Sequence, residues 1–154
     1  MDNSQKIQYT IDRFAAANIS ITADMADKLV RLCDFMVEYN ENVNLTSITE
    51  FEEVVDKHFV DSVLPFFMVE IPEGSSFIDV GTGAGFPALP LLIVRPDLKG
   101  TLCDSLNKRC VYLGKACELV GIHAEIIHAR SEELGRKRRE CFDFATARAV
   151  AAMP

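Results

Sequence analysis

The 154-residue chain has no apolar window approaching the roughly 18 residues a membrane span needs, and its start, "MDNSQKIQYTIDRF", lacks a charged region followed by an apolar one. Neither a transmembrane segment nor a secretory leader is expected, and the protein is expected to be cytoplasmic. There is no low-complexity run and no internal repeat, which sets aside disorder, collagen and coiled coil. There is also no C-x-x-C pair. The cysteines, Cys33, Cys103, Cys110, Cys117 and Cys141, are odd in number. Cys110 and Cys117 share a helical face but lie about two turns apart, too far for a disulfide or a shared metal. All five read as reduced structural thiols, and no metal site is expected.

What is present is the composition of an ordinary globular domain, 49% apolar and 25% charged. The length allows one sizeable core with a small appendage. The net charge of −7 argues against a general nucleic-acid binder, yet the charge is unevenly placed. Residues 1–70 carry 5 Lys and Arg against 13 Asp and Glu, whereas residues 71–154 carry 11 against 10. "GRKRR" sets Arg136, Lys137, Arg138 and Arg139 in one run, which is either a local basic patch or a solvated loop.

Apolar residues at 3.6-residue spacing predict helices around Ile7, Ile11 and Phe14, and from an N-cap at Thr22 through Met25, Leu29, Leu32, Cys33 and Met36. Thr49 with Glu52 predicts a capping box, opening a helix that carries Phe51, Val54, Val55, Phe59 and Val63 and ends before Pro65. Residues 1–69 thus form an N-terminal helical region. After the turn-rich "EIPEGSS" the pattern changes. Strands are expected at 77–80, 101–104, 124–128 and 142–147, with helices at 86–94, 106–120 and, briefly, 131–135. Apolar strands alternating with helices predict an α/β fold over residues 70–154: a parallel sheet with helices on both faces and a ligand at the carboxyl ends of the strands.

One such strand end carries "FIDVGTGAGFPALPL", with Gly81, Gly83 and Gly85 at alternate positions around Thr82. The dinucleotide fingerprint G-x-G-x-x-G requires a third glycine where Phe86 stands, and no Walker Lys-Ser/Thr pair follows. The turn therefore suits a ligand without a diphosphate, or is simply a tight turn. Asp104 ends the second strand, where it either accepts hydrogen bonds from ribose hydroxyls or caps the helix that follows. Asp79, at the end of a buried strand, must bond to turn amides or meet the ligand's cationic end. A ribose, a cationic tail and no pyrophosphate together describe S-adenosyl-L-methionine.

"NVNLTSI", "KHFVDSVLPF", "FIDVGTGAGFPALPL", "LCDSLNKRCVYL", "HARSEEL" and "FDFATARAVA" resemble, in order and spacing, the bacterial glucose-inhibited division protein B family. The resemblance runs from about Asn42 to the last residue. It implies a Rossmann-like methyltransferase fold and S-adenosylmethionine-dependent methylation of N7 of one guanine, number 527 in conventional 16S numbering, with 16S rRNA or the small ribosomal subunit as partner. By resemblance, Gly81 and Phe86 contact the cofactor in the first loop. Ser131 and Glu132 hold the adenine, and Arg148 stands at the junction of cofactor and target base. An arginine ending an apolar strand needs a partner for its charge in any case, with Asp79 and Asp143 as the other candidates.

His58, Asp61 and Ser62 are spaced to share a helix face. The family's pattern leans that segment over the cofactor cleft, which makes His58 a catalytic candidate beside Arg148, although alone it reads equally as an ordinary helix histidine. Lys108, Arg109, Arg136, Arg138 and Arg139 are candidates for RNA phosphates, and Phe86 for an aromatic contact. By resemblance, a complete sheet has about seven strands. Four are readable here, so the chain is expected to be a truncated form that keeps cofactor binding more readily than activity, with an exposed sheet edge favouring association of an otherwise monomeric protein. The alternatives are an NAD-dependent oxidoreductase and a non-catalytic cofactor- or RNA-binding module. Neither a membrane nor DNA is an expected partner.

Overall fold

The computed structural model describes residues 1–130 and 141–147. Helix α1 (Asn3–Ala16) starts at Asp2, whose carboxylate accepts the Gln5 N–H at 2.8 Å while the Gln5 side chain accepts the Asp2 N–H at 2.9 Å. Helix α2 (Ala23–Tyr39) starts at the expected cap, with the Thr22 hydroxyl accepting the Met25 N–H at 3.1 Å. Its apolar stripe, Leu29, Leu32, Cys33 and Met36, is buried.

The third helical segment departs from the sequence pattern in three ways. It comprises α3 (Phe51–Glu53), a π-helical stretch (Val54–Val60) and α4 (Asp61–Phe67). The expected Thr49–Glu52 capping box is not formed, because Glu50 holds the N-cap position and no side chain bonds to the free amides there. The helix does not end before Pro65 but runs through it to Phe67. Burial of Val63 and the packing of Phe66 against Phe144, with ring centres 5.8 Å apart, outweigh the local cost of a proline in a helix.

The sheet has the order β3-β2-β1-β4, with all neighbours parallel: β1 (Ser76–Val80), β2 (Lys99–Asp104), β3 (Ala124–His128) and β4 (Phe144–Thr146). Helix α5 (Ala88–Val94) joins β1 to β2, and α6 (Asn107–Val120) joins β2 to β3. The expected α/β architecture is therefore present, and its N-terminal helices share the core with the sheet. Phe14, Leu29, Met36 and Phe59 belong to the same buried cluster as Phe77, Leu92, Leu102 and Leu113. Register puts Phe77 opposite Phe144, their rings stacked 5.2 Å apart, and two residues further along it puts Asp79 opposite Thr146. All five cysteines are free thiols.

Where α6 meets α2, the ring of Tyr112 lies parallel to Phe35 at 5.7 Å and tilted against Tyr39 at 5.2 Å. Its hydroxyl is buried without a hydrogen-bond partner among the described residues, and burial pushes its pKa up. An unsatisfied hydroxyl costs about 1 kcal/mol or more, so Tyr112→Phe is expected to raise the urea midpoint by that equivalent. A lowered midpoint would show that the hydroxyl is satisfied after all.

Candidate functional site at the carboxyl ends of the strands

The glycine turn is preformed by the chain's own hydrogen bonds. Gly81 and Thr82 donate their N–H groups to the Cys103 carbonyl of β2 at 2.9 and 3.2 Å, and Gly85 and Phe86 donate theirs to the Thr82 carbonyl at 2.9 and 3.3 Å. The Gly83 N–H goes to Asp104 Oδ2 at 2.9 Å. The left-handed backbone this requires, with φ of 67° at Gly81, 61° at Gly83 and 96° at Gly85, suits glycine. The three glycines nevertheless differ in what lies beside them. A side chain at Gly81 or Gly83 would meet nothing within 4 Å, whereas one at Gly85 would sit 2.4 Å from Leu89 Cδ1 and 3.1 Å from Leu113 Cδ2. Gly85 therefore provides the close helix-to-strand approach that the dinucleotide fingerprint assigns to a glycine one position later.

Two buried carboxylates flank this turn. Asp79 has no exposed surface, and its oxygens accept the hydroxyls of Thr82 at 2.6 Å and Thr146 at 2.9 Å. Burial pushes its carboxyl up to about 7, against the pull of those hydroxyls and of the Ala88 N–H. Of the two sequence expectations for Asp79, bonding to the turn is the one seen here, through a threonine hydroxyl. Asp104 is 2% exposed and accepts the N–H groups of Gly83 and Leu106, both at 2.9 Å. Its bond to Leu106 steadies the entry to α6, and each carboxylate oxygen retains a lone pair for a further donor. Arg109 Nη1 stands 3.7 Å from Asp104 Oδ1, so this candidate phosphate contact faces the turn's own carboxylate, while Lys108 in the same helix turn is exposed.

His58 reaches the turn from the π-helical stretch. Its ring stacks on Phe86 with centres 4.4 Å apart and planes 14° from parallel, and Phe59 meets the same ring edge-on at 6.0 Å. Phe86 is only 6% exposed, so its ring is a floor under His58 and no free platform for a base. The shared face expected of His58, Asp61 and Ser62 is not seen: Asp61 is exposed and Ser62 buried. The i, i+3, i+4 rule assumes α-helical turns, and the π-helical turn here is wider. Asp61, Ser62, Pro87 and Thr146 instead line a hollow of about 270 Å³ beside the turn. A larger hollow of about 710 Å³ lies at Ser76, Lys99 and Ala124, the amino ends of the strands, opposite the end where parallel sheets bind ligands.

Ser131, Glu132, Arg136, Arg138, Arg139 and Arg148, together with the short helix expected at 131–135, lie outside the described residues. The structure adds Thr46 and Thr146 to the residues around the site. No sequence signal pairs Thr146 with Asp79, since their meeting needs the register of β1 against β4; for Thr46 the signal was only membership of "NVNLTSI".

Residues 25–154 match the family model described as rRNA small subunit methyltransferase G. The Ribosomal RNA small subunit methyltransferase G of Clostridium perfringens (strain 13 / Type A) is 45% identical over 141 residues, covering 90% of this chain and 59% of that protein. The proteins of the same name from Lactobacillus helveticus (strain DPC 4571) and Lactococcus lactis subsp. lactis (strain IL1403) are 43% and 42% identical, covering 88% and 94% of this chain and 59% and 64% of their own lengths. The chain spans about three-fifths of the curated relatives it matches. The preformed glycine turn, the parallel sheet beneath it and these matches lead to one conclusion: the chain belongs to the rRNA small subunit methyltransferase G family.

Proposed function

We propose that this chain binds S-adenosyl-L-methionine at the Gly81–Gly85 turn and serves methylation of N7 of guanine 527 in 16S rRNA, presented as rRNA or within the small ribosomal subunit in the cytoplasm. One observation carries the cofactor assignment. The turn's amides are directed to the chain's own carbonyls and to a carboxylate, and acidic side chains close two sides of it. A diphosphate needs free N–H groups and no neighbouring negative charge, whereas a ligand with a sulfonium and an ammonium is stabilised by a carboxylate such as Asp104 beside the turn. This also disfavours a nicotinamide dinucleotide.

In this assignment Asp104 receives the ribose hydroxyls on its remaining lone pairs, Gly81 and Gly83 present their open sides to the cofactor, and Asp79 holds the turn from below. Ser131 and Glu132 are assigned to the adenine. The cofactor supplies an electrophilic methyl group. Guanine N7 already carries a free lone pair, so the protein needs no general base. It must hold the reacting atoms in line at about 3 to 3.5 Å and exclude water. His58 on Phe86 closes one side of the site, and Arg148, two residues beyond β4 in the sequence, is the candidate for fixing the base through O6. Lys108 and the run Arg136, Arg138 and Arg139 are assigned to RNA phosphates, and Arg109 is shared between phosphate and Asp104.

Calorimetric titration with S-adenosylhomocysteine tests the site. Gly83→Asp is expected to abolish binding while leaving the fold intact, because the new side chain enters open space on the ligand side and Asp tolerates left-handed backbone better than most residues. Unchanged binding in Gly83→Asp, or binding of NADH in its place, would sink the assignment. Transfer of labelled methyl to small subunits lacking the modification separates an enzyme from a module that binds cofactor alone.

A further inference from the structure

The loop between α2 and α3 takes no part in the function assigned above, yet its polar groups form one connected path. At the end of α2, Asn40 Oδ1 accepts the N–H groups of Leu45 at 2.7 Å and Thr46 at 3.0 Å, and its Nδ2 donates to the Thr46 carbonyl at 3.0 Å. Both backbone groups of Thr46 are thereby fixed. The Thr46 hydroxyl oxygen accepts the Ile48 N–H at 3.1 Å and lies 2.9 Å from His58 Nε2. His58 lies flat on Phe86, and Phe86 follows Gly85 and closes the glycine turn through its N–H to Thr82.

Stacking on Phe86 sets the plane of the His58 ring, and the contact at Nε2 adds a directed bond within that plane. A directed hydrogen bond at one nitrogen narrows the ring's orientation whichever tautomer it carries, because a hydroxyl both donates and accepts. We propose that Thr46 is a positioning residue for the glycine turn: its hydroxyl, locked by Asn40, orients the His58 ring, and that ring holds Phe86 and the turn in the shape that receives the cofactor. The inference rests on the cofactor assignment above, with Thr46 acting through His58.

The test uses the whole chain. Its three histidines, His58, His123 and His128, give three sets of ring signals in a nitrogen-edited spectrum. Thr46→Val keeps the shape and removes the hydroxyl. It is expected to shift the His58 ring signals and the amide signals of Gly83 and Gly85 while leaving His123 and His128 in place. It should also weaken S-adenosylhomocysteine binding about tenfold, the equivalent of one lost hydrogen bond. Thr46→Ser, which restores the hydroxyl, should return all three readouts. Thr46→Ala takes the place of valine should valine leave the chain unfolded. His58 signals that stay at their wild-type positions overturn the proposal, as do shifted signals with unchanged affinity. If the wild-type chain fails to bind S-adenosylhomocysteine while the glycine amides still move with Thr46→Val, the cofactor assignment falls and the relay stands.

Discussion

Asp79→Asn is expected to be more stable than the wild type, by an amount that grows with pH up to about 4 kcal/mol. The Asp79 carboxyl is fully buried, and burial pushes it up to about 7 although two hydroxyls and an amide donate to it. In the unfolded chain an aspartate titrates near 3.9. Between roughly pH 4 and pH 7 the folded chain therefore binds a proton that the unfolded chain has released, and stability falls as pH rises through that window. Above it the whole cost is present. A difference of about three pH units corresponds to about 4 kcal/mol. Asparagine cannot ionise, can still accept one threonine hydroxyl, and offers N–H to the other. Other carboxylates titrate in both proteins and cancel in the comparison. Urea denaturation of both proteins at about pH 4, 6 and 8 measures the gap. A gap that stays constant across that range would mean that Asp79 is ionised in the folded chain with no penalty.

Gly85→Ala should lose about 3 kcal/mol or more, where Gly83→Ala loses only the strain of its backbone. Both positions are left-handed, which costs a non-glycine residue about 1–2 kcal/mol. At Gly85 the added carbon would also stand 2.4 Å from Leu89 Cδ1 and 2.6 Å from Leu89 Cγ, and Leu89 is fully buried in the first turn of α5. Its Cγ can retreat only by a rotamer change inside a filled core or by moving α5 over the sheet. Overpacking of this kind adds about 1–3 kcal/mol. Thermal denaturation of the two alanine variants separates the effects, and equal losses would show that the turn carries strain alone. The contrast also separates packing from backbone strain at two glycines that look alike in the sequence.

The parts of this molecule legible in the sequence are those set by neighbours in the chain. Periodicity gave the three long helices, α1, α2 and α6, and the Thr22 cap. The change from a 3.6-residue period to short apolar runs gave the strands, and the alternate glycines gave the tight turn that follows β1. Asp79 was marked as needing a partner because a carboxylate in an apolar strand is costly wherever it lies. Its actual partner across the sheet, Thr146, depends on the register of β1 against β4, which local spacing does not encode. Thr46 and His58 were hidden for a related reason. They are twelve residues apart, and their meeting requires both the Asn40-held loop and a helix that leaves α-helical spacing. The same departure undid the shared face of His58, Asp61 and Ser62. Pro65 misled because the rule that a proline ends a helix describes local energetics, and Val63 and Phe66 are held by tertiary packing.

The π-helical stretch can also be viewed as an insertion. A helix bonded from each residue to the fifth before it needs more chain per turn than an α-helix does. Were one residue removed from Val54–Val60 and the α-helical pattern restored, the flanking segments would keep nearly the same phase, because the wider turn already absorbs the extra residue, and the change would fall on the residues inside the stretch. Val54, Val55 and Phe59 within the stretch and Val63 beyond it are all fully buried, so the stretch must keep these residues on the core side. The extra residue lets one continuous helical segment satisfy two surfaces that α-helical spacing would not align: the hydrophobic core below, and at His58 the aromatic ring that roofs the glycine turn.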